Sequence, residues 1–189
     1  MNKKNALCLM FTAALLFACQ QKPAGNSNEA PPQETAAVAE RTAEDGNATD
    51  EAPLLPDFSL PDMNGKETTI MTIVEKNEIT ILDFWASWCG PCRAEMPSVV
   101  SLYDAYKDKG LGIVGISLDE DKADWQEAVE KMNMTWPQLS DLQGWNNKAA
   151  RMFDVNGIPF TMVVDKEGRL LAAGLRGSDL YHFVEQRLK

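Results

Sequence analysis

Histidine is nearly absent from this chain of 189 residues, in which His182 is the single representative. Of the four cysteines, Cys8 and Cys19 lie near the N-terminus, which leaves Cys89 and Cys92 as the thiols in the body of the chain. A tetrahedral metal site needs four ligands of these kinds, so we predict no metal centre. No G-x-G-x-x-G motif follows a predicted strand, and we predict no bound cofactor.

Positive charge is also scarce. The 18 Lys and Arg residues stand against 28 Asp and Glu residues, which gives a formal net charge of −10. Such a surface repels phosphate backbones and anionic lipid headgroups. We therefore predict no nucleic-acid partner, and no adhesion of the folded part to a membrane through its own surface.

The N-terminal segment, residues 1–19, predicts an export signal. Lys3-Lys4 precedes an apolar run at 6–18 whose length of about 13 residues suits a signal-peptide core and is too short to span a bilayer. The run ends in Leu16-Phe17-Ala18-Cys19, which resembles the lipobox of bacterial lipoproteins. This resemblance implies cleavage before Cys19 and lipid attachment to it; an ordinary secretory signal is the alternative. We expect the protein in the cell envelope, facing the periplasm. Gln20, the residue after Cys19, favours an anchor in the outer membrane over one in the inner membrane.

Residues 20–52 predict a flexible tether. They are rich in Ala, Pro, Glu, Asn, Gly and Thr, have an acidic excess and contain no aromatic residue. Such a segment buries too little apolar surface to offset the entropy of ordering it, so we expect a disordered acidic linker. The remaining residues, 53–189, are enough for one domain with a hydrophobic core.

The central feature of this domain is a Cys-x-x-C motif between a predicted strand and a predicted helix. Ile79–Trp85 is a short apolar, β-branched and aromatic run typical of a buried strand, and from Cys92 onward apolar residues recur at helical spacing. Cys89 would lie at the helix N-terminus, where unpaired N–H groups and the helix dipole favour a thiolate. Pro91 is tolerated in a first turn. The pattern predicts a redox site in which Cys92 closes a small ring with Cys89.

The rest of the domain predicts a mixed α/β architecture. We predict a hairpin over Asp57–Ile70 that turns at Asn64-Gly65, strands at Leu111–Ser117, Phe160–Val164 and Leu170–Gly174, helices at Asp121–Met132 and Lys148–Phe153, and a last helix capped by Ser178 or Asp179. Pro97 should kink the helix that follows the cysteines. Trp125, Trp136 and Trp145 are predicted to pack in the core or within the segment around them.

From about residue 54 to the C-terminus the sequence resembles the thioredoxin fold, and within it the exported TlpA/ResA-type thiol:disulfide reductases. The resemblance is carried by Trp88-Cys89-Gly90-Pro91-Cys92, by Asp83 on the preceding strand, by Glu95 and Pro97 after the cysteines, and by Gly157-Ile158-Pro159. The predicted hairpin resembles the N-terminal extension of that branch, and Trp125–Phe153 resembles its central insert. The resemblance implies a central mixed sheet flanked by helices.

The resemblance also implies a role for each matching residue. Cys89 is expected to attack substrate disulfides, and Cys92 to resolve the mixed disulfide that forms. Because Cys92 has to lose a proton in that step, Asp83 or Glu95 is expected to accept it. The residues expected to contact substrate are Trp88, Gly90, Pro91, Ile158 and Pro159, with a cis peptide bond before the last.

These features predict an exported, lipid-anchored thiol:disulfide oxidoreductase that reduces extracytoplasmic protein disulfides, with apocytochromes c as one substrate class. Without a cofactor, its cysteines need a membrane electron donor such as a DsbD/CcdA-type protein. A peroxide reductase is an alternative because Asp57–Ile70 also resembles peroxiredoxins, although Ser87-Trp88-Cys89 lacks their threonine before a lone cysteine. A non-catalytic lipoprotein that binds peptides is another. A purely structural disulfide is disfavoured, because so short a ring constrains little chain.

Overall fold

The computed structural model describes residues 52–189. The predicted signal peptide, the predicted lipidation residue Cys19 and nearly all of the predicted linker 20–52 lie outside the described residues. Among the helices of residues 52–189, none combines the length and apolar character needed to cross a membrane.

The described part of the chain folds into seven strands and five α-helices, joined by turns that include two short 3₁₀ segments. The strands are β1 (Ser59–Pro61), β2 (Glu67–Thr69), β3 (Ile79–Trp85), β4 (Leu111–Ser117), β5 (Gln138–Leu139), β6 (Phe160–Asp165) and β7 (Leu170–Ala173). The helices are α1 (Met71–Val74), α2 (Gly90–Tyr106), α3 (Lys122–Lys131), α4 (Lys148–Met152) and α5 (Gly177–Arg187).

β3 lies at the centre of a five-stranded mixed sheet with the order β5-β4-β3-β6-β7. It runs parallel to β4 and antiparallel to β6. Every residue of β3 and β4 is buried, as expected of strands covered on both faces. Trp85 and Ser117 end these two parallel strands side by side. The segments that follow the two strands therefore leave the sheet at the same edge.

β1 and β2 form the predicted N-terminal hairpin as a separate two-stranded sheet. Its turn contains Gly65 at φ 82°, a left-handed conformation that glycine adopts without steric cost. The hairpin lies against β5, where the N–H of Ser140 donates to the carbonyl of Pro61 (3.0 Å) and Asp62 bridges to Leu139. It therefore covers a strand that would otherwise be an open edge of the main sheet.

The predicted central insert, Trp125–Phe153, contains most of α3 and the whole of β5 and α4. Asp121 caps α3 by accepting hydrogen bonds from the N–H groups of Ala123 (2.7 Å) and Asp124 (3.1 Å). Trp125 and Trp136 are buried, as predicted for core residues, whereas the Trp145 ring is half exposed. The insert thus contributes to the core and also places an aromatic ring on the surface.

The start of the last helix differs from the prediction. α5 begins at Gly177, with Arg176 in the cap position, and neither Ser178 nor Asp179 caps it. The N–H of Gly177 donates instead to Oε1 of Glu95 on α2, at 2.8 Å. The predicted cap is wrong because the acceptor lies 82 residues away in the sequence, beyond the reach of any local pattern.

Candidate active site

Cys89 and Cys92 lie at the start of α2 and are joined in a disulfide, with their Cα atoms 5.3 Å apart. Cys89 is the N-cap residue, and its Sγ accepts a hydrogen bond from the N–H of Cys92 at 3.2 Å. Pro91 lies in the first turn, where it leaves no helical donor unpaired. This geometry directs an N–H group and the positive end of the helix dipole at the sulfur of Cys89, and both stabilise a thiolate there.

The turn between β3 and the cysteines is fixed by Asp119, which follows β4 and is 1% exposed. Its carboxylate accepts hydrogen bonds from the N–H of Ser87 (3.0 Å), from the Ser87 hydroxyl and from the Ser117 hydroxyl (2.6 Å). The contact follows from the parallel pairing of β3 and β4, which end at the same edge. The sequence reasoning missed Asp119, since only the pairing of the strands brings it to the cysteine turn.

Asp83 lies on β3 beneath the cysteines and is 4% exposed. Within residues 52–189 no donor forms a hydrogen bond to its carboxyl group, so burial acts on it without compensation. Loss of hydration, followed by the negative charge of Glu95, raises the pKa of Asp83 from 3.8 to about 7, although the Arg176 cation opposes this change. Asp83 can therefore gain or lose a proton near neutral pH.

A small cavity joins Asp83 to the second cysteine. Its volume is about 10 Å³, room for about one water molecule. It is lined by Asp83, Cys92, Glu95, Pro159, Thr161 and Leu180, among others. Cys92 borders this cavity and Cys89 does not, so the two cysteines have different surroundings.

Glu95, on the second turn of α2, lies at the same cavity, but both of its oxygens are occupied. Oε2 accepts from Nε of Arg176 at 3.0 Å and forms an ion pair with Nη2 at 2.9 Å. Oε1 accepts from the N–H of Gly177 at 2.8 Å. The two carboxylates predicted as proton acceptors therefore differ: Asp83 is unpaired and buried, whereas two nitrogens of Arg176 form an ion pair with one oxygen of Glu95.

The residues predicted to contact substrate occupy two positions. The Ile158–Pro159 peptide bond is cis, as predicted, and Pro159 lines the cavity beside Cys92. Trp88 is 54% exposed, and its ring lies 6.2 Å from that of Trp145, centroid to centroid. Gly90 and Pro91, between the cysteines, are also exposed. The structure thus brings the cysteines, both carboxylates and Pro159 together, with an aromatic pair at the surface beside them.

No group of three or more His, Cys, Asp and Glu side chains between residues 52 and 189 is arranged to hold a metal ion. The chemistry that this site can perform with its own groups is thiol–disulfide exchange.

The fold and the paired cysteines define the class: they are those of the thioredoxin-like thiol-disulfide oxidoreductases. The chain belongs to the AhpC/TSA family, whose model matches residues 52–173.

Relatives and solved structures agree with this class. The thiol-disulfide oxidoreductase ResA of Geobacillus thermodenitrificans is 31% identical over 115 residues, which cover 61% of this chain and 63% of that protein. The match thus spans less than two thirds of this relative's length. The thioredoxin domain of a thiol-disulfide oxidoreductase from Bacteroides vulgatus is 31% identical, with a TM-score of 0.66 over 73% of this chain and 97% of that one. A thiol-disulfide oxidoreductase from Bacteroides fragilis is 29% identical, with a TM-score of 0.66 over 71% and 98%.

Asp83→Asn should make the oxidised protein more stable at alkaline pH. Because folding raises the pKa of Asp83 from 3.8 to about 7, its protonated form is favoured in the native state. Stability from this group is complete below pH 3.8 and is lost as the pH rises through about 7. At pH 8 we expect the variant to exceed the wild type by up to about 4 kcal/mol in free energy of unfolding, measured by urea titration.

The matched control for this measurement is Asp108→Asn, at an exposed position. The gain in stability of Asp83→Asn over the wild type between pH 4 and pH 8 should exceed any change seen with Asp108→Asn. If the two variants change alike with pH, Asp83 does not ionise at a raised pKa.

Asp119→Asn should lower the free energy of unfolding by about 1–3 kcal/mol, because an amide cannot accept all three hydrogen bonds. The new NH₂ group would face the donor groups of Ser87 and Ser117. The control is Asp121→Asn at the cap of α3, where asparagine and aspartate are equally good caps. Urea unfolding of both variants at pH 7 checks the expectation. Equal stability of the two variants would show that the Asp119 contacts contribute little.

Proposed function

We propose that this protein is an extracytoplasmic, membrane-tethered reductase of protein disulfides, with apocytochromes c as one substrate class. The observation that carries the proposal is the Cys89–Cys92 pair at the start of α2, with Cys92 beside a buried carboxyl group whose pKa is about 7. Export and a lipid anchor at Cys19 in the outer membrane complete the proposal, and both rest on the N-terminal sequence.

The proposed reaction has two exchange steps. The Cys89 thiolate attacks a substrate disulfide, which forms a mixed disulfide and releases one substrate thiolate. Cys92 then loses its proton to a carboxylate, Asp83 or Glu95, and its sulfur attacks that of Cys89. The Cys89–Cys92 disulfide forms, the mixed disulfide breaks and the second substrate thiolate leaves. Two electrons have passed to the substrate, and the accepted proton returns to solvent.

The proposed direction is reduction. The Gly90-Pro91 dipeptide resembles that of reducing thioredoxins, and we expect a reduction potential nearer the roughly −270 mV of thioredoxin than the roughly −120 mV of an exported oxidase. A protein that gives up two electrons per cycle has to be re-reduced. We propose a membrane electron donor of the DsbD/CcdA type.

The proposed substrate surface surrounds Cys89. Trp88 immediately precedes Cys89 and is exposed, so we expect a substrate polypeptide bound at Cys89 to contact its ring. Pro159 lines the cavity beside Cys92, and we propose that an extended substrate segment pairs in the manner of a strand with the backbone of Ile158, which precedes the cis bond. Trp145 extends the Trp88 ring into a larger apolar face, because both rings are about half exposed and in contact.

A peroxide reductase is the second candidate, and membership of the AhpC/TSA family favours it. Against it, Ser87-Trp88-Cys89 carries no threonine before the cysteine, and a second cysteine, Cys92, lies three residues further on. A non-catalytic, peptide-binding lipoprotein is a third candidate, but such a role has no need of a carboxyl group that titrates near neutral pH beside a cysteine.

The two cysteine variants should separate the steps of the reaction. Cys89→Ser should abolish reduction of insulin disulfides by the dithiothreitol-charged protein, because the attacking sulfur is missing. Cys92→Ser should accumulate a covalent complex with substrate, because the mixed disulfide can no longer be resolved. Non-reducing electrophoresis and mass spectrometry of the complexes check both expectations.

Trapping by Cys89→Ser and not by Cys92→Ser would reverse the two roles. Peroxide consumption by the wild type at a rate comparable to insulin reduction would favour the second candidate. Full insulin reduction by Cys89→Ser would contradict the proposed function altogether.

Trp145→Ala should raise the KM for a protein disulfide about two- to twelvefold, the loss expected when one aromatic contact of about 0.5–1.5 kcal/mol is removed. The rate with a small disulfide, oxidised glutathione, should stay within twofold, because a small substrate does not reach this ring. The matched control is Leu54→Ala, which is also exposed but bridges to Arg169 at the opposite end of the sheet. An equal rise of KM for both substrates would show that Trp145 acts on the cysteines rather than on the substrate.

A further inference from the structure

We propose that Arg176 is a positioning residue that holds Glu95 in a fixed ion pair and so leaves Asp83 as the acceptor of the Cys92 proton. The inference rests on the proposed exchange reaction and decides between the two carboxylates that the sequence leaves open. Arg176 itself carries no signal in the sequence, because it lies 81 residues from Glu95.

Both oxygens of the Glu95 carboxylate have hydrogen-bond partners. Two nitrogens of Arg176 contact Oε2, at 3.0 and 2.9 Å, and the backbone N–H of Gly177 contacts Oε1 at 2.8 Å. Such charge-assisted contacts are stronger than neutral hydrogen bonds and are retained by the ionised form. A proton arriving at Glu95 would weaken these contacts, because they draw on the negative charge of the carboxylate.

Glu95 and Asp83 also differ in their exposure to solvent. The Glu95 side chain is 17% exposed and that of Arg176 is 48% exposed, so solvent weakens the ion pair without separating it. Asp83 is buried and has no donor to displace, so a proton gained there relieves the cost of a buried charge. Of two carboxylates on one cavity, the unpaired one is therefore the better acceptor.

The charged groups around Asp83 change its pKa. α2 presents Cys92 and Glu95 to the cavity, and the start of α5 presents Arg176 through its contact with Glu95. β6 contributes Thr161, whose hydroxyl donates to the carbonyl of Leu175, and β4 contributes a glycine opposite Asp83 in the register. Glu95 raises the pKa of Asp83 and Arg176 lowers it. The ion pair therefore sets the pH at which Asp83 is able to accept a proton.

The reduced chain with Cys8→Ser and Cys19→Ser, in which Cys89 and Cys92 are the only thiols, and dithiobis(nitrobenzoate) provide an assay that separates the two exchange steps. Attack by the Cys89 thiolate releases the first nitrothiobenzoate anion and leaves a mixed disulfide on Cys89. Loss of the Cys92 proton to Asp83 and attack on Cys89 release the second anion and close the Cys89–Cys92 disulfide. Each anion absorbs, so stopped-flow absorbance gives one rate for each step, and each rate is measured as a function of pH.

The second phase should respond to three substitutions in distinct ways. Arg176→Gln should move its pH midpoint upwards by about half a unit, since a half-exposed cation that lowers the pKa of Asp83 is removed. Glu95→Gln should move the midpoint downwards and keep the pH dependence. Asp83→Asn should slow the second phase and remove this dependence. Arg176→Lys, which keeps the charge and loses the two-nitrogen contact, should lie between the wild type and Arg176→Gln.

The first phase is the internal control, because it does not require Asp83. An unchanged second-phase midpoint in Arg176→Gln, or equal movement of both phases, would overturn the role of Arg176. Loss of the pH dependence in Glu95→Gln would make Glu95 the acceptor and overturn the inference. A wild type that releases neither anion would instead contradict the proposed function. The Lys and Gln variants of the two partners keep the test decisive if Arg176→Gln fails to fold.

Discussion

The burial of the Asp83 carboxyl group without a hydrogen-bond partner is the constraint on which the site depends. An isolated charge in this position is costly, so the group is held close to the balance between its two protonation states near neutral pH. A fully paired aspartate in the same place would remain ionised and would not take up a proton readily. The unpaired burial that lowers stability therefore also lets Asp83 take up a proton. A partner that stabilised the ionised carboxylate would remove this capacity for proton transfer.

The other contacts of the site hold the two sulfur atoms in place relative to the Asp83 carboxyl group. β3 carries Asp83 and leads into the cysteine turn, while the parallel neighbour β4 ends beside it and supplies Asp119. Asp119 fixes Ser87, two residues before Cys89, and the first turn of α2 then sets Cys92 at the cavity. The parallel pairing thus determines which sulfur meets the acceptor and which lies at the helix end.

The sequence predicts the parts of this arrangement that depend on short-range patterns. The bounds of β3 and β4 follow from short, mainly apolar and β-branched runs, and the start of α2 follows from a Cys-x-x-C motif with proline in the first turn. It does not predict α1 or β5, which are too short to show a period, nor the exposed face of Trp145, since burial of a tryptophan depends on its neighbours in space. Asp119 and Arg176 escape sequence reasoning for the same reason: their partners are set by strand pairing and helix docking.

The contact of Glu95 with the start of α5 joins stability and chemistry in one interaction. A helix usually takes its cap from its own sequence, but the first N–H of α5 is satisfied by a side chain of α2. The same carboxylate faces the cavity and acts on Asp83 through its charge. Any substitution of Glu95 therefore changes the docking of α5 and the proton affinity of Asp83 together. A change in activity alone does not separate the two effects; only a displaced pH midpoint identifies the electrostatic one, because loosened packing lowers the rate at every pH alike.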